Sequence, residues 1–162
     1  MAVDMFIKIG AIEGESVDKV HEKSIDVLAW SWGMSNSGTM HQGGGGGGGK
    51  ANVQDLSFTK YVDASSHALL LACSNGEHLT KANLVVRKAG GKGTPVEYIK
   101  IEMTEVLVTS VSTGGSGGED RLTENVSLNF SKVKFEYTPQ SAVGGKTASK
   151  EMTYDVSLND NG

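Results

Sequence analysis

The sequence predicts an all-β fold, closed or nearly closed as a barrel, with one short α-helix at about residues 64–75 that covers part of it. Three observations support this prediction. Apolar and polar residues alternate through most of the chain, which is typical of strands that bury one face. One segment alone carries helix-forming residues between a capping signal and a stop signal. The 22 glycines cluster between the strand-like runs, where they indicate loops.

Length and charge limit the possible function classes. A chain of 162 residues fits a single domain, 1–162, that can bury a real hydrophobic core. Its 19 acidic and 15 basic residues give a net charge of −4, and they form no basic cluster, which argues against binding to nucleic-acid phosphates. There is no run of about 20 apolar residues to span a bilayer. We therefore expect no nucleic-acid partner and no membrane insertion.

The cysteine content and the first residues bear on the cellular compartment. The single cysteine, Cys73, excludes an intramolecular disulfide framework and suits a reducing cytoplasm. The start, MAVDMFIKIG, places Asp4 and Lys8 within the first apolar stretch and lacks a signal-peptide layout. If the protein leaves the cell, we expect a route that needs no signal peptide.

The first two predicted strands are VDMFIKI and VLAWSWGMS, because side chains at every second position share a face. In the first strand one apolar face consists of Val3, Met5, Ile7 and Ile9. In the second strand the large apolar residues share a face: Leu28, Trp30, Trp32 and Met34. The small residues share its other face: Ala29, Ser31, Gly33 and Ser35.

Two further strands follow in the middle of the chain. The segment NVQDLSFTKYV groups Leu56, Phe58 and Val62 on one face. The run VEYIKIEMTEVLVTSVS is far longer than an average strand of five or six residues, so we expect it to bend and contribute to two sheets. The apolar residues on one of its sides are Ile99, Ile101, Met103, Leu107 and Val111.

The last two strands come from ENVSLNFSKVKFEY and EMTYDVSL. In the former, the apolar positions change from even to odd: Val126, Leu128 and Phe130, then Val133, Phe135 and Tyr137. A slip of one residue inverts every side chain, so we expect a bulge near Ser131 and Lys132 that keeps both halves facing the core. The final strand groups Met152, Tyr154, Val156 and Leu158.

The helix prediction rests on DASSHALLLAC, which begins at Asp63, opens with capping residues and is followed by the stop signal Asn75 and Gly76. Two pairs of its side chains could point into the core, either Leu70 with Cys73 or Leu69 with Cys73, and both alternatives stay open. Glycine-rich loops are predicted at 38–51, 90–95, 113–119 and 139–149.

The run GGGGGGGK, from Gly43 to Lys50, raises the question of a phosphate-binding loop. Its last seven residues match the start of the Walker A pattern G-x-x-x-x-G-K-[ST], but Ala51 stands where a hydroxyl should hold the metal ion. A P-loop also leads into a helix whose N-terminus faces the phosphates, whereas a strand-like segment follows here. We interpret the glycines as a flexible connection between two strands.

No catalytic, cofactor or metal site emerges from the reactive residues. The histidines are interpreted as surface residues because their spacing makes no closed ligand set; they are His21, His41, His67 and His78. Cys73 lies among leucines and alanines, as a small core residue does, and no G-x-S-x-G motif occurs. The adjacent Glu119, Asp120 and Arg121 lie in a predicted loop, where they indicate an ion pair or an interface contact.

Two features call for another explanation. A strand face made only of small residues lets another surface approach closely or lines an aqueous cavity, although a solvated outer face is a plain alternative. Long glycine-rich loops are uncommon in a compact domain unless they are functional or disordered. Both features fit a protein that works through its surfaces.

Several long segments together resemble the Hcp proteins, which form the inner tube of the bacterial type VI secretion system. These segments are AWSWGMS, the glycine loop, NVQDLSFTKYVD with the helix after it, and above all VSTGGSGGEDRLTENVSLNFSKVKFEY. The resemblance extends from MAVDMFIKI at the start to EYTPQ near Gln140.

The resemblance implies a two-sheet β-barrel with one helix that assembles as a homohexameric ring. Such rings stack into a tube, which a contractile sheath expels behind a spike of the VgrG type, and the lumen carries effector proteins. The implied protein is a structural subunit rather than an enzyme and needs no cofactor. It is made in the cytoplasm and is then secreted to the extracellular space or a target cell without a signal peptide.

The implied ring gives roles to the two unexplained features. The small face becomes a candidate lumen wall that contacts effectors: Ala29, Ser31, Gly33 and Ser35. The candidates for contacts between subunits or stacked rings are His41, Gly46, Lys50, Glu119, Asp120 and Arg121. Two other function classes stay open at this point, a P-loop-like nucleotide binder and a monomeric β-type binding module.

Overall fold

A computed structural model describes residues 3–38, 49–88, 96–139 and 148–158. Within these ranges the chain forms strands joined by loops and a single helix, so the predicted mainly β fold with one short helix is confirmed. In chain order the elements are β1 (Val3–Ile9), β2 (Ile25–Asp26), β3 (Ala29–Ser31), β4 (Met34–Asn36), β5 (Ala51–Val53), β6 (Leu56–Tyr61), α1 (Ser66–Asn75), β7 (His78–Lys88), β8 (Val96–Thr113), β9 (Thr123–Tyr137) and β10 (Lys150–Asp155).

The strands form one large antiparallel sheet in the order β2-β1-β7-β8-β9-β6-β3, with β10 also paired to β9 and a separate β4-β5 hairpin. The short segment between β2 and β3 connects the two ends of the large sheet. The amide of Val27 donates to the Met5 carbonyl at 2.9 Å, and the next amide, that of Leu28, donates to the Thr59 carbonyl at 2.8 Å. Because β1 and β6 are thus held by neighbouring residues, the sheet curls into a barrel.

Two long strands run through both halves of the barrel. β7 pairs with β8 only as far as Leu107, whereas β9 pairs with β8 along nearly its whole length. The other side of β9 pairs with β6 over residues 123–128 and with β10 over residues 132–137. The run beginning at Val96 therefore serves both halves of one continuous sheet, and the expectation that it contributes to two separate sheets is wrong.

The predicted change of parity in β9 is confirmed, because Phe130 and Val133 are both buried. The predicted bulge near Ser131 and Lys132 is wrong, since the β8–β9 register is continuous from Val106↔Phe130 to Thr104↔Lys132. β8 changes parity at the same level, at Glu105, whose φ of 52° lies in the left-handed region that non-glycine residues rarely adopt. The register shift between these two strands lies further along, between Val108 and Ser110, where β8 has one extra residue.

The core corrects several predicted apolar positions. Beyond Glu105, Val106 and Val108 are buried in place of Leu107. Val62 is exposed, and the buried residue at the end of β6 is instead Lys60. The other predicted core residues that are exposed are Val3, Leu28, Met34, Tyr137, Met152, Val156 and Leu158. Most of them stand at or beyond an end of their strand, where the neighbouring strand no longer covers them.

The single strand predicted for residues 27–35 is wrong. β3 and β4 belong to different sheets, and the chain turns between them at Trp32 and Gly33. The Trp32 ring lies 6.4 Å from the rings of Phe130 and Phe135, and its indole N–H donates to the Gln54 carbonyl at 3.0 Å. This packing of a large aromatic ring draws the chain away from the line of β3.

The helix α1 begins two residues later than predicted and ends where predicted. Gly76 follows it with a φ of 66°, a left-handed conformation that glycine adopts without a steric penalty. Leu69 is fully buried, Cys73 packs against the core and Leu70 is 43% exposed, so the Leu69–Cys73 alternative is correct. The loop between β8 and β9 is confirmed at residues 114–122, while the other predicted glycine loops lie largely outside the described residues.

Candidate functional site

One face of the sheet formed by β3, β6, β9 and the far half of β8 carries small polar side chains. The opposite face of the same strands is in the core, where Phe58 and Leu128 are buried and the partly buried Trp30 packs against them. We call the outward face the polar face, which comprises Ala29 and Ser31 of β3, Ser57 and Thr59 of β6, Thr109 of β8, and Asn125, Ser127 and Asn129 of β9. It follows from alternation along β3, β6 and β9, whereas in β8 the register shifts between Val108 and Ser110 and leaves both Thr109 and Ser110 exposed.

Hydrogen bonds between neighbouring strands hold the side chains of the polar face. The Ser57 and Ser127 hydroxyls are 3.2 Å apart, and the Thr59 hydroxyl donates to the Asn125 amide oxygen at 2.8 Å. Both bonds join directly opposite residues of β6 and β9. Cross-strand pairs of this kind orient short side chains that would otherwise rotate freely.

A carboxylate lies beside the polar face. Asp55, just before β6, accepts a hydrogen bond from the Thr109 hydroxyl at 2.8 Å and another from the Asn129 amide at 2.9 Å. These donors engage both of its carboxylate oxygens. The polar face therefore presents hydroxyl and amide groups that already make some of their hydrogen bonds. The negative charge of Asp55 beside it is hydrogen-bonded by neutral donors.

Two shallow depressions lie along the polar face and share Asn125. One, of about 270 Å³, is lined by residues of β3, β6 and β9 that include Ser31 and Ser57. The other, of about 290 Å³, is lined by the ends of β8 and β9 and by Glu119 in the loop between them. The sequence missed Ser57, Thr59 and Asn125, although the polar half of the alternation in LSFTKY and ENVSLNF was visible.

The structure brings together only half of the predicted lumen residues. Ala29 and Ser31 are exposed side by side on β3. Gly33 lies after the end of β3 against Gln54, where an added Cβ would come within 3.3 Å of the Gln54 side-chain oxygen. Ser35 is exposed on β4, in the other sheet. The prediction of one continuous small face fails because the strand breaks at Trp32.

The predicted contact residues in loops lie in separate places. His41 and Gly46 are outside the described residues, and Lys50 is exposed immediately before β5. Glu119 and Asp120 are exposed in the loop after β8. In place of the suggested ion pair within this triplet, the Arg121 guanidinium lies 3.8 Å above the centre of the Tyr61 ring, a cation–π contact.

The sheet that carries the polar face has two open edges. Within the described ranges, residues 108–113 of β8 pair with β9 on one side and with no strand on the other. At the opposite edge, β3 pairs with β6 and, in the same part of the chain, with no second strand. Unpaired edges expose backbone donors and acceptors that can pair with another chain.

Beneath the polar face lies a fully buried ion pair. Lys60 and Glu124, directly opposite each other on β6 and β9, are 0% and 1% exposed, with 2.6 Å between their charged atoms. The ammonium also lies 3.1 Å from the Asp63 carboxylate, and the Ser66 hydroxyl donates to Glu124 at 2.8 Å. This network ties the start of α1 to the sheet, which excludes these charged groups from contact with a ligand.

A second charged cluster lies on the other half of the barrel, around Arg87. Its guanidinium donates to both oxygens of Asp18 at 3.0 and 2.6 Å, and to Asp4 at 3.2 Å. The hydrogen bond from Arg87 holds the pKa of the Asp18 carboxyl well below its usual range, and the same contact raises the pKa of Arg87. The Nε atom of Arg87 is the only buried side-chain nitrogen or oxygen without a partner among the described residues.

His21 belongs to this cluster, so its interpretation as a surface residue is wrong. Its Nε2 atom lies 2.6 Å from Glu97, and its ring stacks on Phe6 with 4.8 Å between the centres. Burial of the Glu97 carboxyl acts to raise its pKa, but the contacts with His21 and Lys100 outweigh that effect and leave the pKa below its usual value. By contrast, His67 and His78 are exposed as predicted.

One further concave surface lies beside the helix. A depression of about 490 Å³ lies between α1 and residues 11–13, and its walls include Ile12, Ala68 and Leu71. Across the described residues, no group of three or more His, Cys, Asp or Glu side chains is arranged to hold a metal ion. In the same ranges, no helix has the length and apolar character needed to cross a bilayer.

Comparison with known proteins identifies a consistent set of relatives. A family model described as "Type VI secretion system effector, Hcp" matches residues 6–137. The chain is 67% identical to Protein hcp1 of Pseudomonas aeruginosa over 146 residues, which cover 90% of both chains.

Solved structures show the same architecture. A type six secretion system protein superposes with a TM-score of 0.91 at 31% identity, covering 98% of this chain and 99% of the other. Hcp1 from Salmonella typhimurium gives a TM-score of 0.79 at 41% identity, covering 98% of each chain. A type VI secretion system effector from Yersinia pestis gives 0.77 at 36% identity, covering 94% of this chain and 100% of the other.

Proposed function

Since the chain belongs to the Hcp family of type VI secretion proteins, we propose that it is the subunit of a homohexameric ring that stacks into a secretion tube. The observation that carries this proposal is the pair of open edges, β3 and residues 108–113 of β8, on either side of the polar face. A ring needs two different patches on each subunit that fit each other after a rotation. Two open edges of one sheet meet that need.

The strand directions favour pairing between these two edges. Neighbours in the order β3-β6-β9-β8 are all antiparallel, so β3 and β8 run in opposite directions. When a copy is rotated about an axis along the strands, its β3 is therefore antiparallel to β8 of the next copy. Repeated around a ring, this pairing removes both open edges and makes one closed wall from the four-stranded sheets.

Disulfide cross-linking tests this arrangement. In a Cys73→Ser background, Ala29→Cys or Ser31→Cys is combined with Ser110→Cys or Ser112→Cys, which gives four double variants. Antiparallel neighbours have Cα atoms about 4.5–5.5 Å apart, within the reach of a disulfide. Under mild oxidation we expect at least one combination to give a ladder of covalent species ending at six subunits on a denaturing gel.

The matched control uses a position inside the wall. Thr59→Cys with Ser112→Cys places the first cysteine on β6, which is paired on both sides by β3 and β9 and is not at an edge. This variant should stay a single subunit on the gel. If the particle has the mass of a ring but none of the four combinations gives a ladder, the ring proposal stands and the proposed β3–β8 contact is wrong.

We propose that the polar face lines the lumen of the ring and contacts effector proteins there. Ser31 is exposed in a depression with Ser57 and Asn125, and a glutamine at this position fills that depression. We expect Ser31→Gln to reduce the retention of a co-purified effector while the ring mass is unchanged. Ser35→Gln, on β4, is the control of equal size. If Ser31→Gln rings retain the effector as well as native rings do, the proposal that the polar face lines the lumen is wrong.

The other partners in this proposal are those of a secretion tube. Stacked rings, a VgrG-type spike and contractile sheath proteins contact the ring from outside its lumen, and the tube leaves the cytoplasm for the extracellular space or a target cell. Lys50, Glu119, Asp120 and Arg121 are exposed and are proposed contacts between subunits or stacked rings, together with His41 and Gly46. Charge reversal at Lys50 or Glu119, assayed by tube length in electron micrographs, tests this assignment.

A further inference from the structure

The tip of the hairpin between β1 and β2, residues 14–24, exposes two apolar side chains. Val17 and Val20 are 94% and 71% exposed. Lys19 lies between them and Lys23 follows on the returning arm. Both lysines are exposed, and their ammonium groups make no ion pair or hydrogen bond within the described ranges. Contacts within the subunit thus do not account for these four side chains.

Two polar contacts fix the hairpin tip on its own barrel. The Arg87 guanidinium donates to both oxygens of Asp18 at 3.0 and 2.6 Å. Further along, Nε2 of His21 lies 2.6 Å from the Glu97 carboxylate. With Asp18 paired, the charged groups left for a partner are the two lysines and Glu22, so positive charge is in excess. Because the tip is already ordered, binding it costs little conformational entropy.

An apolar groove, which we call the helix groove, lies between α1 and residues 11–13. Its volume is about 490 Å³, within the range of pockets that bury a small ligand. Its apolar walls include Ile12, Ala68, Leu71 and Leu79. Leu71 is 60% exposed, so the groove is open to a partner.

The rim of the helix groove is acidic. Glu13 and Glu77 line it, and neither carboxylate makes an ion pair or hydrogen bond in the part of the chain that the structure describes. Beside them, the Glu15 carboxylate accepts a hydrogen bond from the Ala64 amide at 2.9 Å. Apolar walls with a negative rim complement the valines and lysines of the hairpin tip.

The helix groove and the hairpin tip lie near opposite ends of β7. Leu79, in the groove, stands near the start of this strand, and Arg87, which binds the tip, stands near its end. The strand between them spans about 27 Å, so the anchored tip cannot reach the groove of its own subunit. We propose that the hairpin tip of one copy docks into the helix groove of a second copy, with the valines on the apolar walls and the lysines at the carboxylates.

Two different patches at opposite ends make a head-to-tail contact, which continues from copy to copy instead of closing on a pair. Between rings, this contact joins the hairpin side of one ring to the groove side of the next. That last step rests on the proposed tube, whereas the docking of two copies does not.

Mixed cross-linking tests the docking. In a Cys73→Ser background, tagged Val20→Cys protein is mixed with untagged Leu71→Cys protein and mildly oxidised. We expect a covalent pair of one tagged and one untagged subunit on a denaturing gel. The control is Leu70→Cys, because Leu70 is 43% exposed on the same helix but does not line the groove. A disulfide needs Cα atoms within about 7 Å, so we expect the mixed pair to be at least about fivefold stronger with Leu71→Cys.

Charge exchange assigns the contact to these two patches. Lys19→Glu with Lys23→Glu, on the tip protein, should lower the yield of the mixed pair about three- to tenfold, since repulsion replaces two exposed ion pairs. Glu13→Lys with Glu77→Lys, on the groove protein, should restore it.

Equal yields with Leu71→Cys and Leu70→Cys, or no recovery after charge exchange, would overturn the proposal. If sheath protein shields the Leu71→Cys thiol from a labelling reagent and a second copy does not, the groove belongs to the sheath and the proposal is equally wrong. Light scattering in parallel separates the two proposals: a particle with the mass of a ring but no mixed pair rejects the docking and leaves the ring standing.

Discussion

The two faces of the β6–β9 pair are made by the same backbone and have opposite roles. The inner face buries Leu56, Phe58 and Leu128 together with the ion pair of Lys60 and Glu124. The outer face, one residue along each strand, carries hydroxyl and amide groups that are paired across the strands. Strand alternation thus separates the residues that stabilise the barrel from those available for contact with other molecules.

This difference also explains where charge is found. A buried pair costs desolvation, which good geometry and additional hydrogen bonds must offset, and Lys60 and Glu124 have both through Asp63 and Ser66. The outer face has no such requirement because water solvates it. Substitutions on the two faces should therefore differ strongly in their effect on the free energy of unfolding.

The largest effect is expected for Glu124→Ala, because it leaves the Lys60 ammonium buried with one fewer partner. Loss of one member of a buried pair typically costs about 3–5 kcal/mol. Urea unfolding of the variant beside Asn125→Ala, its neighbour on the outer face, measures the difference. Equal midpoints for the two variants would contradict the separation of the faces.

Replacing both charges sharpens the same comparison. Lys60→Met with Glu124→Leu removes the unpaired ammonium that Glu124→Ala leaves behind, so part of the loss seen in that variant should be recovered. The remaining cost comes from the Ser66 hydroxyl, which loses its acceptor, and from the Asp63 carboxylate, which loses its cation and keeps the donors of Ser65. A double variant no more stable than Glu124→Ala would show that the network, rather than the unpaired charge, determines stability.

An intermediate effect is expected for Leu128→Ala, which opens a cavity in the core. Leu128 is fully buried, and such a substitution costs about 2–5 kcal/mol depending on how far the site collapses. Thermal unfolding followed by circular dichroism measures it. A loss under about 1 kcal/mol would mean that the inner face is less tightly packed than its burial indicates.

The smallest effect is expected for Ser127→Ala, the residue directly before Leu128 on the outer face. It removes one hydrogen bond, to Ser57 at 3.2 Å, from a solvated surface, so the free energy of unfolding should change by no more than about 0.5 kcal/mol. The same thermal scan serves both residues. A loss as large as that of Leu128→Ala would show that the polar face is needed for folding.

Much of this arrangement was accessible from the alternation of residues. The parity of ENVSLNF predicts the buried Val126 and Leu128, and its polar half also points to Asn125 and Ser127. The buried ion pair was also visible in the sequence, because Lys60 and Glu124 occupy core-facing positions of the alternation, next to apolar residues on the same face. Local periodicity was sufficient wherever a strand keeps regular neighbours on both sides.

The features that could not be predicted depend on contacts between distant segments. The break after β3 arises because the Trp32 ring packs against Phe130 and Phe135, about a hundred residues further along the chain. His21 is drawn from the surface by Glu97, 76 positions away. Pairings over such separations are set by the curled sheet as a whole, which no local pattern encodes.

The central claim is that open edges join copies of this chain into a ring. The mass of the native particle in solution tests this claim most directly. Light scattering after size exclusion, over a tenfold range of concentration, should give a single species near six times the subunit mass of 17.0 kDa. A species that remains at the mass of one subunit over that range would contradict the ring and favour a monomeric binding module.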